Sequence, residues 1–156
     1  MDDTDRKIVK ALQEDSSGSM RQISRITGVA LTTVHSRLRA LKEKGVIRRY
    51  TLDIDHDKLG YHVLAIVNVT IGYDFVRKTG TTQNELVQLF MQEDEVEEAF
   101  SVTGETDIIL KVRARGIDDL NNYLIGQVRK LPGVTKTVTQ VVLYEGRKQS
   151  INKPSA

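Results

Sequence analysis

The sequence predicts an α+β fold in two domains, and three observations lead to that prediction. The front part of the chain repeats its apolar side chains at helical spacing. The rest mixes β-branched runs with further helical patterns, and positive charge is concentrated near the front. A length of 156 residues is sufficient for two small domains. We therefore expect a helical domain followed by a mixed one.

Helices are predicted for most of the chain before Gly45. The first covers Asp3 to Glu14, and the second runs from Met20 to Thr27 with Ser19 as its N-cap. Gly28 ends the second helix in a left-handed conformation. The third helix carries a stripe of apolar residues: Leu31, Val34, Leu38 and Leu41. Two helices joined by a glycine turn in this way form a helix-turn-helix.

The segment that follows the third helix completes the first predicted domain. Val46 to Ile54 alternates loosely between apolar and polar residues, which favours a β-ribbon. Residues 1–52 would then be a winged helix-turn-helix domain, and residues 53–60, DIDHDKLG, a linker. Residues 147–156 are expected to be a polar tail.

The second predicted domain, residues 61–146, follows the order βαββαβ. Its predicted elements are a strand at His62–Ile71, a loop at Gly72–Thr81, a helix at Thr82–Glu93, strands at Val96–Thr103 and Ile108–Ala114, a helix at Asp118–Leu131 and a strand at Val134–Tyr144. This order is typical of a ferredoxin-like sheet with two helices on one face. The other face needs a partner, so we expect a homodimer.

The charge distribution indicates which domain meets a polyanion. Met20 to Arg49 holds eight Lys or Arg and one Glu, a net charge of +7, whereas the whole chain is only +2. Residues 1–60 have 12 basic and 9 acidic side chains, and the remainder has 11 and 12. A compact helix-turn-helix with this charge is typical of a protein that binds double-stranded DNA.

Composition excludes several other classes. There is no cysteine, and therefore no disulfide framework or thiolate chemistry. No apolar run approaches the roughly 20 residues that a membrane-spanning helix needs. The start, MDDTDRK, is acidic and unlike a signal peptide, so we expect a cytoplasmic protein without membrane contact. No catalytic or nucleotide-binding motif is present, and we expect neither an enzyme nor a cofactor.

We do not expect a metal site. His35, His56 and His62 lack a ligand spacing such as H-x-x-x-H. The acidic run Glu93–Glu95, with Glu97 and Glu98, could hold a cation, but such a run is more often a solvated helix end.

The third helix carries the residues expected to face DNA. Opposite its apolar stripe lie Thr32, Thr33, Ser36 and Ala40, with Arg37 and Arg39 beside them. Short hydroxyl and methyl groups suit base edges in the major groove, and arginine suits phosphate or guanine. Alternatively this face is merely solvated, with Arg37 paired to an acid. The residues expected to contact phosphate are Arg21, Gln22 and Arg25 on the second helix, and one of Arg48 and Arg49.

Several ordered segments resemble the Lrp/AsnC family of transcription regulators. MDDTDRKIVKAL resembles its opening helix, ISRITGVALTTVHSRLRALKEKGVI its helix-turn-helix, and Leu59-Gly60 its linker. Val102–Asp107 resembles a turn of the family's effector domain, and Leu131–Val134 with Thr137–Thr139 its C-terminal signature. The match extends from Asp3 to Glu145. The resemblance implies a ferredoxin-like domain of the RAM type and assembly into dimers, tetramers or octamers.

The chain also departs from the family pattern. Ala30 stands where the family usually has a serine to cap the recognition helix, so Thr32 or Thr33 would have to replace it at a shifted start. The loop from Gly72 to Gln83 is longer than usual. Thr106 is smaller than the family's usual residue, which implies an effector pocket of different shape.

The turn Gly104-Glu105-Thr106-Asp107 is the candidate effector site. Its backbone N–H groups could bind a carboxylate, while Asp107 could accept from an ammonium group, as a free amino acid requires. The family resemblance places such effectors at a subunit interface, with Thr137 and Thr139 nearby. The alternative is a hairpin turn in which Asp107 bonds its own backbone.

Together these features predict a sequence-specific DNA-binding regulator modulated by an amino acid. The alternative is a sensing or protein-interaction module whose helix-turn-helix does not bind DNA specifically.

Overall fold

The computed structural model describes residues 1–146, which form two compact units, residues 1–53 and residues 54–145. The predicted tail, 147–156, lies outside the described residues, and the predicted domain boundaries stay predictions. Within the described part of the chain, no helix is both long and apolar enough to cross a membrane.

The first unit consists of three helices around one apolar core. They are α1 (Asp3–Glu14), α2 (Met20–Thr27) and α3 (Leu31–Glu43). The core includes Ile8 and Leu12 of α1, Ile23 of α2, and Val34 and Leu38 of α3. Ile8 and Leu12 lie one turn apart, as do Val34 and Leu38, so the burial of one apolar side of each helix orients all three helices.

The predicted β-ribbon at Val46–Ile54 is wrong. The segment has no strand hydrogen-bonding, and Val46, Tyr50 and Leu52 are exposed. Alternation produces a strand only where another strand pairs with it, and the other described elements of this unit are helices. The Lys42 ammonium lies 4.9 Å from the centroid of the Tyr50 ring, which brings the middle of this segment back to α3.

The second unit is a four-stranded antiparallel sheet that follows the predicted βαββαβ order with one additional helix after the first strand. Its elements are β1 (Val63–Ile71), α4 (Tyr73–Thr79), α5 (Gln83–Phe90), β2 (Val96–Ser101), β3 (Ile108–Ala114), α6 (Ile117–Gly126) and β4 (Val134–Val141), with 3-10 turns at Asp57–Leu59 and Val128–Lys130. The strand order is β2-β3-β1-β4. This is the ferredoxin-like arrangement expected from the element order.

Register divides the side chains of the sheet between two faces. Val69 of β1 pairs with Ile108 of β3 and Thr137 of β4, and the buried members of this set face the helices. The next row crosses all four strands: Asn68 pairs with Ile109 and Val138, and Ile109 pairs with Phe100. Since successive side chains in a strand alternate, this second row lies on the face opposite α5 and α6. Phe100 and Val138 are 48% and 43% exposed there.

The loop predicted at Gly72–Thr81 is also wrong, because it contains α4. Phe75 of this helix packs over Gly133, where an added Cβ would lie 2.3 Å from the ring. Gly133 has a φ of +92°, and its carbonyl accepts a hydrogen bond from the N–H of Gly72 at 2.8 Å. A glycine is therefore required at Gly133 both for its backbone conformation and for the close approach of the ring. This contact connects α4 to the turn that begins β4.

Candidate nucleic-acid interface and effector site

The turn between α2 and α3 is held by local hydrogen bonds. Ser19 caps α2, as expected, by accepting from the N–H of Gln22 at 3.3 Å, and Gly28 ends the helix in a left-handed conformation with φ 69°. The hydroxyl of Ser24 donates to the carbonyl of Val29 at 2.6 Å across the turn. Buried Ile23 and Val34 pack the two helices together, so the direction of α3 is fixed by this unit's core.

α3 starts without a side-chain cap. Ala30 occupies the N-cap position and makes no side-chain hydrogen bond, as its methyl group requires. The expected replacement by Thr32 or Thr33 at a shifted start is not seen, because the helix begins at Leu31. The N–H groups at this helix start consequently remain available to an anion.

The outward face of α3, which we define as Thr32, His35, Ser36 and Arg39, consists of exposed residues at helical spacing. Thr33 lies at its edge and is partly buried, and its carbonyl accepts from the hydroxyl of Ser36 at 3.0 Å. His35 was considered in the sequence only as a metal ligand. Its place three residues after Thr32 and four before Arg39 was the signal that could have assigned it to this face.

Arg37 does not lie on the outward face of α3. Its guanidinium contacts the carboxylates of Asp2 at 2.7 Å and Asp5 at 3.5 Å. Asp5 is only 7% exposed. The N–H of Asp5, followed by Arg37, lowers the pKa of Asp2 below its usual value. Arg37 thus joins α3 to the start of α1, which is the pairing alternative left open by the sequence.

The other predicted DNA residues remain at the surface. Arg39 pairs with Glu43 one turn later at 2.9 Å, but both side chains are more than half exposed, so a phosphate can compete for the arginine. Arg21 and Arg25 are exposed on α2, and Gln22 is partly buried. Arg48 is exposed in the segment that follows α3.

The turn at Gly104–Asp107 is anchored by its aspartate. One carboxylate oxygen of Asp107 accepts from the N–H of Ile71 at 2.7 Å, and the other accepts from the amide of Gln83 at 2.8 Å. Gln83 in turn accepts from the hydroxyl of Ser101 at 2.8 Å. The carboxylate of Asp107 therefore links the end of β1, the start of α5 and the end of β2. This differs from the local turn that the sequence left open, in which Asp107 bonds its own backbone.

The remaining predicted effector residues do not form one contact set within the chain. Gly104 and Glu105 are exposed and Thr106 is partly buried. The N–H of Asp107 donates to the carbonyl of Val69, while Thr137 pairs with Val69 from β4 and Thr139 pairs with Val67. The turn and the two threonines thus flank β1 on opposite sides, roughly 9–10 Å apart at two strand spacings. A single α-amino acid cannot span that distance with its own ammonium and carboxylate groups.

Part of the acidic run is paired with basic side chains of the same unit. Glu97 contacts Lys111 at 3.0 Å and also accepts from Arg113, and Glu98 lies 3.4 Å from Lys111. Burial by itself would raise the pKa of Glu97, but the hydrogen bonds from Lys111 and Arg113 outweigh it and lower that pKa. His56 lies 3.3 Å from the same carboxylate. Among residues 1–146, no group of three or more His, Cys, Asp and Glu is arranged to hold a metal ion.

Comparison with known proteins matches both units to families. Residues 1–48 match a winged helix-turn-helix DNA-binding family, and residues 64–150 match the Lrp/AsnC ligand-binding domain. The HTH-type transcriptional regulator FL11 of Pyrococcus horikoshii is 38% identical over 143 residues, which are 92% of this chain and 89% of that protein. The chain belongs to the Lrp/AsnC family.

Solved structures of transcription regulators have the same fold. E. coli AsnC aligns with a TM-score of 0.82 at 27% identity, covering 97% of each chain. A Neisseria meningitidis transcriptional regulator, solved as a complex with L-Met, aligns with a TM-score of 0.83 at 21% identity, over 95% of this chain and 93% of that one. The protein is accordingly an Lrp/AsnC-type transcription regulator with a ligand-binding domain, in a family of regulators and not of enzymes.

Proposed function

We propose that the chain is a sequence-specific DNA-binding regulator that reads the major groove with the outward face of α3. The observation that carries this proposal is the exposure of Thr32, Ser36 and Arg39 in one row, beside an uncapped helix start. Threonine and serine reach base edges, and Arg39 reaches guanine or phosphate. Partly buried Thr33 contributes from the edge of the row.

Phosphate contacts would come from the flanking elements. Arg21, Gln22 and Arg25 on α2 and Arg48 beyond α3 position the helix without reading sequence. We assign Arg37 to a positioning role instead, since its guanidinium is engaged by Asp2 and Asp5.

A salt titration tests the DNA assignment. We expect affinity for operator DNA to fall steeply as salt rises, and Arg39→Ala to weaken binding and reduce the slope by about one phosphate equivalent. Lys7→Ala is a matched control, because it removes one exposed cation of the same unit from α1. Operator affinity that is independent of salt and unchanged in Arg39→Ala would favour the alternative, a helix-turn-helix that binds a protein.

A homodimer would place two copies of α3 on a pseudo-palindromic site, with half-sites about one helical turn apart. The support is the exposed apolar row on the sheet face opposite the helices, which contains Phe100 and Val138. Sedimentation of wild type and Phe100→Glu tests this role: the variant should dissociate to monomers and lose affinity for the two-half-site operator. We also propose that these dimers assemble into tetramers or octamers and that the protein is cytoplasmic.

An amino-acid effector would modulate the assembly or DNA affinity of this regulator. The supporting observations are the ligand-binding family match and the polar groups of Gly104–Asp107, Thr137 and Thr139. Since the turn and the threonines lie on opposite sides of β1, the complete site would combine groups from neighbouring subunits. Operator titration with and without each amino acid tests it, because an effector must bind two states with different affinity.

A further inference from the structure

His35 is an exposed residue of the outward face of α3, and its imidazole has no partner in the described part of the chain. The other two histidines lie beside carboxylates: His56 is 3.3 Å from Glu97, and His62 is 3.3 Å from Asp57. Among residues 1–146, no side-chain hydrogen bond or ion pair involves His35. Both of its ring nitrogens are therefore available to a ligand.

The core of the first unit fixes the direction of His35. Val34 beside it is fully buried, and Leu38, one turn after Val34, is 3% exposed. These two apolar side chains hold one side of α3 against the core, so the exposed imidazole lies on a side that faces solvent. An imidazole is a rigid ring with two side-chain torsions, and fixing it against a ligand costs less conformational entropy than fixing a long arginine side chain.

His35 also lies in the part of α3 that meets base edges in a helix-turn-helix, since the N-terminal residues of the second helix contact the bases. At about 1.5 Å per residue, His35 lies about 4.5 Å beyond Thr32 along the helix and about 6 Å before Arg39. Successive bases are about 3.4 Å apart, so the three side chains span about three base-pair steps. His35 is thus placed against a base pair between those that Thr32 and Arg39 reach.

The chemistry around His35 favours a base that is rich in hydrogen-bond acceptors. An imidazole carries at least one N–H donor. Arg39 and Lys42, one and two turns after His35, are exposed cations, and the acid of α3, Glu43, lies at the end of the helix and pairs with Arg39. In the major groove guanine presents two acceptors, N7 and O6, whereas adenine has an amino group in place of O6 and cytosine presents a donor. Guanine therefore suits this surface best.

We propose that His35 is a specificity-determining residue, which donates a hydrogen bond to the N7 and O6 edge of one guanine in each half-site. This inference rests on the proposed reading of the major groove by α3 and specifies one base of the operator. Thr32, Ser36 and Arg39 contact neighbouring positions. Loss of the imidazole should remove the base preference at one position of the half-site and leave the preferences at the other positions unchanged.

Single-base changes in the operator, combined with His35→Ala, test the inference. The full-length wild type first selects its preferred duplex from a random pool, and affinity is then measured for every single-base-pair change in that duplex. We expect one G·C pair in each half-site whose change to A·T weakens wild type about tenfold and His35→Ala less than about twofold. Gln13→Ala is the matched control, because it truncates an exposed polar side chain of α1 and should retain every wild-type preference. Thermal unfolding verifies that each variant is folded.

The measured preferences separate the possible roles of His35. A preference that His35→Ala loses at an A·T pair would overturn the guanine assignment, and preferences that His35→Ala retains throughout would overturn any base contact by His35. Equal weakening on all duplexes with a reduced salt dependence would make His35 a phosphate contact and overturn its role in specificity. In these three cases wild type still selects a sequence, so the proposed DNA reading stands. A wild type that selects no sequence would refute both proposals.

Discussion

The outward face of α3 and the turn at residues 104–107 differ in how far their polar side chains are engaged within the chain. On α3, exposed Arg39 pairs with an exposed glutamate. In the turn, both carboxylate oxygens of Asp107 accept hydrogen bonds from other elements. A polar residue at a candidate site can therefore serve the ligand or the fold, and substitution separates the two roles.

The largest effect is expected at Asp107. Asp107→Ala leaves the N–H of Ile71 and the amide of Gln83 without their acceptor, and we expect the second unit to lose about 2–3 kcal/mol of unfolding free energy. Urea unfolding without added amino acid measures this loss. Glu105→Ala is the control, because it truncates an exposed carboxylate in the same turn and should change stability by less than about 0.5 kcal/mol. Equal stability of the two variants would show that Asp107 does not stabilise the fold, and the turn would then not differ from α3 in this respect.

Arg37 and Arg39 of α3 differ in the same way: Arg37 is engaged within the chain, and Arg39 is available to a ligand. Removing one partner of a buried ion pair costs about 3–5 kcal/mol. Since the Arg37 side chain is 42% exposed, we expect Arg37→Ala to lower the stability of the first unit by less, about 1–2 kcal/mol. Arg39→Ala should change stability by under about 0.5 kcal/mol and weaken DNA binding instead. Unfolding and operator titration of both variants measure the two effects. An Arg37→Ala variant that kept its stability but lost affinity for DNA would show that Arg37 contacts DNA.

The features that the sequence predicted correctly depend on local periodicity. The N-cap at Ser19, the left-handed Gly28 and the succession of the four strands in the second unit follow from neighbouring residues and were confirmed. The ribbon at Val46–Ile54 failed because a strand requires a pairing partner that local alternation cannot supply. α4 was missed because its core contact, Phe75 on Gly133, joins residues far apart in the chain.

Local sequence also fails to reveal which side chains of the candidate sites have distant partners. Arg37 and Arg39 are indistinguishable by charge and spacing alone, since only the fold brings Asp2 and buried Asp5 to one of them. Asp107 likewise depends on Gln83, which is supplied by a different helix. His35 is the reverse case: it is absent from the residues predicted to face DNA, although helical spacing alone would have placed it beside Thr32 and Arg39. Distant partners, then, decide whether a polar residue of the site is available to a ligand.

The smallest effect is expected from the titration of Asp2, and it sharpens the interpretation of Arg37. The N–H of Asp5, with Arg37, lowers the pKa of Asp2 from its usual 3.8 in the folded chain. A lowered carboxylate pKa contributes stability above pH 3.8, and this contribution is lost as the pH falls through the lowered value. Asp2→Asn keeps a good N-cap but abolishes this titration.

Thermal unfolding of wild type and Asp2→Asn between neutral pH and pH 2 measures the difference. Wild type should be slightly more stable at neutral pH, and the two should converge in acid. In an Arg37→Ala background the difference at neutral pH should shrink, because a charged side chain that lowers the pKa of Asp2 is absent. A difference that is independent of both pH and Arg37 would show that Asp2 acts only as a helix cap. Arg37 would then be held by Asp5 alone, and the competition between fold and DNA for this arginine would depend on one buried carboxylate.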